Sequence, residues 1–177
     1  QNVIAVKTDN DWKYKEKSSG SGFQWNNNNF NANYGGIPKN VFLHLKPKVY
    51  QTLPLYSTLG TTGTYVYATN FDIANKKAVV NVASQVKNEL SKSITTQLKV
   101  SVQDREGKLI ATFVGDSHLV APNEIKDLTA MKALDNLNFW SWGYGYLYTV
   151  TSELLVDTKS VEKVTIRTGF RKTKFEK

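Results

Sequence analysis

The chain has 177 residues, 40% of them hydrophobic and 21% charged, enough for one domain or a domain with part of another. It contains no cysteine, which excludes disulfides, thiolate metal sites and cysteine nucleophiles, and its two histidines, His44 and His118, have no zinc-binding spacing. The net charge of +8 is spread without a block of five like charges, and no apolar run reaches the roughly 18 residues of a membrane helix. These features read as a solvated basic surface, with neither nucleic acid nor membrane as partner and no cofactor.

Residues Gln1 to Asp9 read as a strand, and an opening in mid-strand suggests a fragment. From Asp11 to Tyr34 the chain is rich in Asn, Ser, Gly and aromatics, with the run Asn26 to Asn29. Asn40 to Leu45 reads as a second strand. So few strands cannot bury a core of their own. Pro47, Pro54 and Gly60 break the pattern, and the boundary is placed so that residues 1–58 form one part and 59–177 another.

From Thr64 on, alternation dominates. Ala78, Val80, Val82, Ser84 and Val86 share one face, with Asn81, Gln85 and Lys87 on the other. Leu98, Val100 and Val102 point inward, and Leu109, Ala111 and Phe113 continue the pattern. Between them Asp104-Arg105-Glu106-Gly107 reads as a tight hairpin, with glycine where a positive φ is needed. Asn123 to Met131 is open between a short helix and a strand edge. His118 falls in a loop, and His44 shares a strand face with Phe42. Both histidines read as packed or surface residues. Tyr146, Tyr148, Val150, Ser152, Leu154 and Val156 form a further strand, and a turn at Asp157 to Lys159 leads to one with Val164 and Ile166. About seven short strands over roughly 110 residues predict an all-β fold, an immunoglobulin-like sandwich.

Three stretches carry a resemblance. Asn2-Val3-Ile4-Ala5-Val6-Lys7-Thr8-Asp9-Asn10, followed by Tyr34-Gly35-Gly36-Ile37-Pro38-Lys39-Asn40-Val41-Phe42-Leu43, resembles the closing half of a sugar-binding jelly roll. Leu137-Asn138-Phe139-Trp140-Ser141-Trp142-Gly143-Tyr144-Gly145-Tyr146-Leu147-Tyr148 is similar to an "LWSPExPxLYxL" segment, with Gly143 and Gly145 near the places of its prolines. Thr168-Gly169-Phe170-Arg171-Lys172-Thr173-Lys174-Phe175-Glu176 is similar to a "VGFRxIEF" strand. In this order they resemble the non-catalytic part of family 2 glycoside hydrolases of the β-galactosidase kind.

The resemblance implies the end of a jelly roll over residues 1–58 and an immunoglobulin-like sandwich over 59–177. It also implies a parent enzyme that cleaves β-glycosides of carbohydrate with retention, using two glutamates on a (β/α)8 barrel in the same chain. Nothing here reads as that barrel. Glu89, Glu106, Glu124, Glu153 and Glu162 are expected on exposed strand faces or turns, none paired with a second carboxylate, so no catalytic residue is assigned. The Asn-rich loop supplies amides and aromatic faces, the groups that bind sugars. Its candidate sugar contacts are Trp25, Asn26, Asn31, Asn33 and Tyr34, against a reading of the same loop as a polar surface. The cluster Phe139, Trp140, Trp142, Tyr144, Tyr146 and Tyr148 reads as structural packing or as a stacking platform for sugar.

Arg167, Arg171, Lys172, Lys174 and Lys177 form the densest basic patch, which in an intact protein would face an acidic neighbouring domain. The strands at Val3 to Thr8 and Val41 to Leu45, cut from their neighbours, are expected to pair with each other or with a second copy, giving a strand-swapped homo-oligomer. A periplasmic or secreted setting is expected. A stand-alone carbohydrate-binding module and a cell-surface adhesion sandwich remain open as alternatives.

Overall fold

The computed structural model describes residues 3–8, 36–37 and 39–174. It falls into two compact units, Gln1–Leu45 and Lys46–Lys177. Nine strands build the second: β1 (Val49–Gln51), β2 (Thr64–Asp72), β3 (Lys77–Asn88), β4 (Ile94–Gln103), β5 (Leu109–Val114), β6 (His118–Val120), β7 (Ile125–Leu134), β8 (Tyr148–Val156) and β9 (Lys159–Thr168). No helix occurs among the described residues.

All pairings are antiparallel. In the first sheet β3 is central, with β7 along one edge and β2, then β1, along the other. In the second, β4 and β8 are central, β9 lies outside β8, and β5 and β6 follow one another along the far edge of β4. The chain changes sheet after β3, β6 and β7, the Greek-key wiring of an immunoglobulin-like sandwich.

Alternation puts the core where the sequence places it. Val80, Val82 and Val86 on β3 and Leu98, Val100 and Val102 on β4 are fully buried, and Val150 and Leu154 of β8 join them. Each such side chain stabilises the fold by about 1.5–3 kcal/mol. Ala78 and Ser84 are buried on the same face, as expected. Leu109 is not: a register shift pairs it with the outward Gln103, so it stays 56% exposed. The stretch left open between helix and strand is β7, paired with β3 along its length, and His118 lies in β6 rather than a loop.

Turn chemistry follows the sequence. Gly107 takes a φ of 85°, and Asp104 Oδ1 accepts from the amides of Glu106 and Lys108. Asp157 and Thr158 both have positive φ, 48° and 72°, the two-residue turn that matches strand twist. A β-branched residue there costs on the order of 1 kcal/mol.

The unit that contains the sandwich starts at Lys46, ahead of residue 59, because β1 belongs to its core. Gln51 is fully buried between the sheets. Its Oε1 accepts from Ser84 Oγ (2.9 Å) and Ser152 Oγ (2.7 Å), and its Nε2 donates to the Ser152 carbonyl (3.2 Å). Glu162 on β9 accepts from the Gln51 amide at 2.6 Å and pairs with Lys46. β1 thus staples one end of the sandwich across both sheets.

Residues 3–8 and 41–45, read from sequence as strands, enter no ladder among the described residues. Expected pairing between them is not formed. Their apolar side chains, Val3, Ile4, Val6, Val41, Phe42, Leu43 and Leu45, are exposed. Alternation marks a strand only where a neighbour supplies hydrogen bonds to its backbone.

Candidate functional site

The sequence-predicted sugar contacts Trp25, Asn26, Asn31, Asn33 and Tyr34 all lie outside the described residues. The structure instead builds one well-defined aromatic constellation, between the segment after β7 and the end of β9.

Phe170, just past β9, is 1% exposed and stacks on Tyr148 of β8, centroids 5.2 Å apart and planes 25° from parallel. Tyr148 packs on Tyr146, and its hydroxyl accepts from the Asn138 amide at 2.7 Å. Burial raises the Tyr148 pKa above the ordinary phenol value, so the ring stays a neutral hydrogen-bonding wedge. Tyr146, 6% exposed, accepts from the Arg105 amide at 3.3 Å and so touches the β4–β5 hairpin.

Trp140 closes this end. Its amide donates to the Phe170 carbonyl at 2.8 Å, and Arg171 lies 5.2 Å from the centroid of its ring. Gly169 is compulsory here for space: an added Cβ would stand 2.8 Å from Trp140 Cβ and 2.9 Å from the Tyr146 carbonyl oxygen. The Trp-Ser stretch and the Gly-Phe-Arg stretch, thirty residues apart in sequence, are therefore two halves of one joint. Tyr146 and Tyr148 are buried and structural, while Trp142, at 96% exposure, is outside the joint.

Beside the joint runs a groove of about 580 Å³, lined by Tyr65 and Tyr67 of β2 and by Trp140, Leu147, Gly169 and Arg171. Tyr65 and Tyr67 stack at 5.3 Å and are 61% and 38% exposed. Sequence reading passed over this pair, although aromatics two apart on the polar face of a strand are a signal of a surface meant to be covered.

The glutamates are differently placed from expectation. Glu89 and Glu106 are exposed, but Glu124, Glu153 and Glu162 are partly buried. Each shielded one has a structural task. Glu162 is matched by Lys46, Glu153 by Lys99 and Lys163, and Glu124 Oε2 accepts from the Ala121 amide at 2.6 Å. Glu153 is held below the ordinary carboxylate range by a hydrogen bond from Ser160, reinforced by Lys163 and Lys99. A general acid needs the opposite shift. Among the described residues, no three His, Asp or Glu side chains group as metal ligands.

Fold and joint define the class: an all-β, immunoglobulin-like sandwich domain with an aromatic closure at one end. The family model for glycosyl hydrolases family 2 matches residues 64–171, from the first residue of β2 to Arg171 of the joint, and the chain belongs to that family. A β-glucuronidase of Formosa agariphila is 31% identical over 179 aligned residues, which cover 100% of this chain and 18% of that enzyme. The β-galactosidase BoGH2A of Bacteroides ovatus is 27% identical, over 77% of this chain and 15% of its own length. Among solved structures, a family 2 β-glucuronidase superposes with a TM-score of 0.65 at 27% identity, covering 72% of this chain and 13% of that one. A Bacteroides uniformis β-glucuronidase shares the fold, with a TM-score of 0.59 at 16% identity over 71% of this chain and 14% of its own. The chain thus spans less than a fifth of the enzymes it matches.

Proposed function

We propose that this chain is the non-catalytic β-sandwich region of a retaining glycoside hydrolase that cleaves β-glucuronides or β-galactosides. The residues ahead of Lys46 are the end of its sugar-binding jelly roll. The sandwich holds that domain against a catalytic (β/α)8 barrel of the same polypeptide, in a periplasmic or secreted enzyme. Its contribution is orientation: fixing domains around a substrate lowers the entropic part of the barrier without any bond chemistry in the sandwich.

The observation that carries this reading is the coincidence of the family match with the joint. Residues 64–171 hold strands β2 to β9 of the sandwich and its Trp140–Phe170–Arg171 closure. The closure spends its aromatics inward, on Tyr148 and Phe170, where a stacking platform for sugar would present them outward. The shielded carboxylates Glu153 and Glu162 are neutralised by lysines rather than poised as an acid and a nucleophile.

Calorimetric titration of the chain with methyl β-glucuronide and methyl β-galactoside checks the reading. A spacer gives no saturable heat up to about 1 mM ligand, a standard free energy weaker than about −4 kcal/mol. Saturable binding below that concentration would make the chain a carbohydrate-binding module.

A further inference from the structure

The two sides of the sandwich are closed to different degrees. On the β5–β6–β7 side, Lys126 Nζ donates to the Leu119 carbonyl at 3.0 Å and Lys132 Nζ to the Thr112 carbonyl at 3.4 Å. There Gly115 also comes so near β7 that an added Cβ would lie 2.0 Å from the Thr129 carbonyl oxygen. That side is zipped. On the other side, β1 closes one end through Gln51 and Lys46 on Glu162, and the remainder, between β2 and β9, is the 580 Å³ groove.

Sheet edges attract foreign strands, and proteins blunt them with lysines, prolines, bulges or brevity. β9 carries Lys159, Lys163 and Arg167, β7 carries Lys126 and Lys132, β1 and β6 have three residues each, and β5 has six and is followed directly by Gly115. β2 is blunted only at its far end, by the register shift between Thr69 and Asp72; from Thr64 to Thr69 it is regular, holds no lysine or proline and, among the described residues, pairs only with β3. Its side chains at the groove are Tyr65, 61% exposed, and Tyr67. Across the groove stand Trp140 and Arg171, the latter with no carboxylate partner among the described residues. Tyrosine, tryptophan and arginine gathered at one place are the residues enriched in binding hot spots.

We propose that the β2–β9 groove is the seat of the catalytic domain of the same polypeptide. That domain lays an extended apolar segment along the free edge of β2, its side chains between the tyrosine pair and Trp140, and a carboxylate on Arg171. This rests on the functional reading above. Two observations select this occupant. The matched enzymes are more than five times the length of this chain, so a further domain is the expected neighbour. And the family match, residues 64–171, takes in both walls of the groove and ends at Arg171 on one of them. The excess of 23 basic over 15 acidic residues suits an acidic partner surface.

Amide hydrogen exchange tests it, comparing residues 1–177 alone with the full-length enzyme polypeptide. Residues 64–69 and 168–171 should exchange about tenfold or more slowly in the longer protein, with residues 109–120 unchanged. Arg171→Glu in the longer protein should return them toward the rate of the chain alone. Equal exchange at 64–69 in both proteins overturns the proposal. So does protection in the short chain that grows with its concentration, which would assign the edge to a second copy. A longer polypeptide without glycosidase activity would instead remove the functional reading, since the exchange pattern reads docking independently of catalysis.

Discussion

Phe170→Ala should lower the stability of the sandwich by about 3–5 kcal/mol, the range for truncating a buried phenylalanine. Phe170 is 1% exposed and lies on Tyr148, which is equally buried. Removing the ring leaves a cavity that the surroundings cannot fill. Tyr148 is fixed from the other side by Tyr146 and by the Asn138 amide, and the backbone of residue 170 is held by the amide of Trp140. The loss therefore combines the transfer term with an uncollapsed void. Urea denaturation followed by tryptophan fluorescence reads it as a lowered midpoint at unchanged slope. Trp142→Ala, at a side chain 96% exposed, serves as the control and should shift stability by no more than about 0.5 kcal/mol. Equal effects of the two would show that the joint does not carry the end of the sandwich.

Gly115→Ala should cost at least about 3 kcal/mol, at the top of the range for overpacking. The reason is position rather than dihedral. A Cβ would meet the Thr129 carbonyl oxygen at 2.0 Å and Ala130 Cβ at 3.2 Å, and the obstacle is the backbone of β7, held in its ladder with β3, rather than a side chain that could rotate away. Relief requires β7 to move from the β5–β6 edge. That loosens the Lys126 and Lys132 hydrogen bonds and the Gly115 amide bond to the Leu98 carbonyl, 2.9 Å long. Gly107→Ala makes the contrast. Nothing lies within 4 Å of its added Cβ, so only the φ of 85° opposes the change, worth about 1 kcal/mol. Denaturant midpoints of the two variants should rank accordingly, and the reverse order would contradict the close approach.

Much of this architecture was legible in the residues. The inward faces of β3 and β4 followed from strict alternation, and the hairpin at Gly107 from its turn chemistry. The family resemblance, read from the Trp-Ser and Gly-Phe-Arg stretches, rests on residues that touch in space. The rest was hidden for identifiable reasons. Leu109 pointed outward because a register shift reversed its face, which alternation alone does not reveal. β7 lost its signal because Lys126 and Lys132 serve the neighbouring sheet edge as donors. Gly115 gave no cue, since its role is a contact with a residue fourteen positions on. β1 looked like linker because its core residue is Gln51, and a buried glutamine is recognisable only once its serine partners surround it. Residues 3–8 and 41–45 had the pattern of strands but gained no ladder, since pattern does not supply a partner. The proposed sugar contacts of the Asn-rich loop fall outside the described residues.

The most direct measurement is a hydrolysis assay of the purified chain with p-nitrophenyl β-glucuronide and p-nitrophenyl β-galactoside. A spacer region whose shielded glutamates are held by lysines releases nitrophenol no faster than buffer alone. Release above that background, abolished by replacing Glu153 or Glu162 with glutamine in protein that remains folded, would contradict the account.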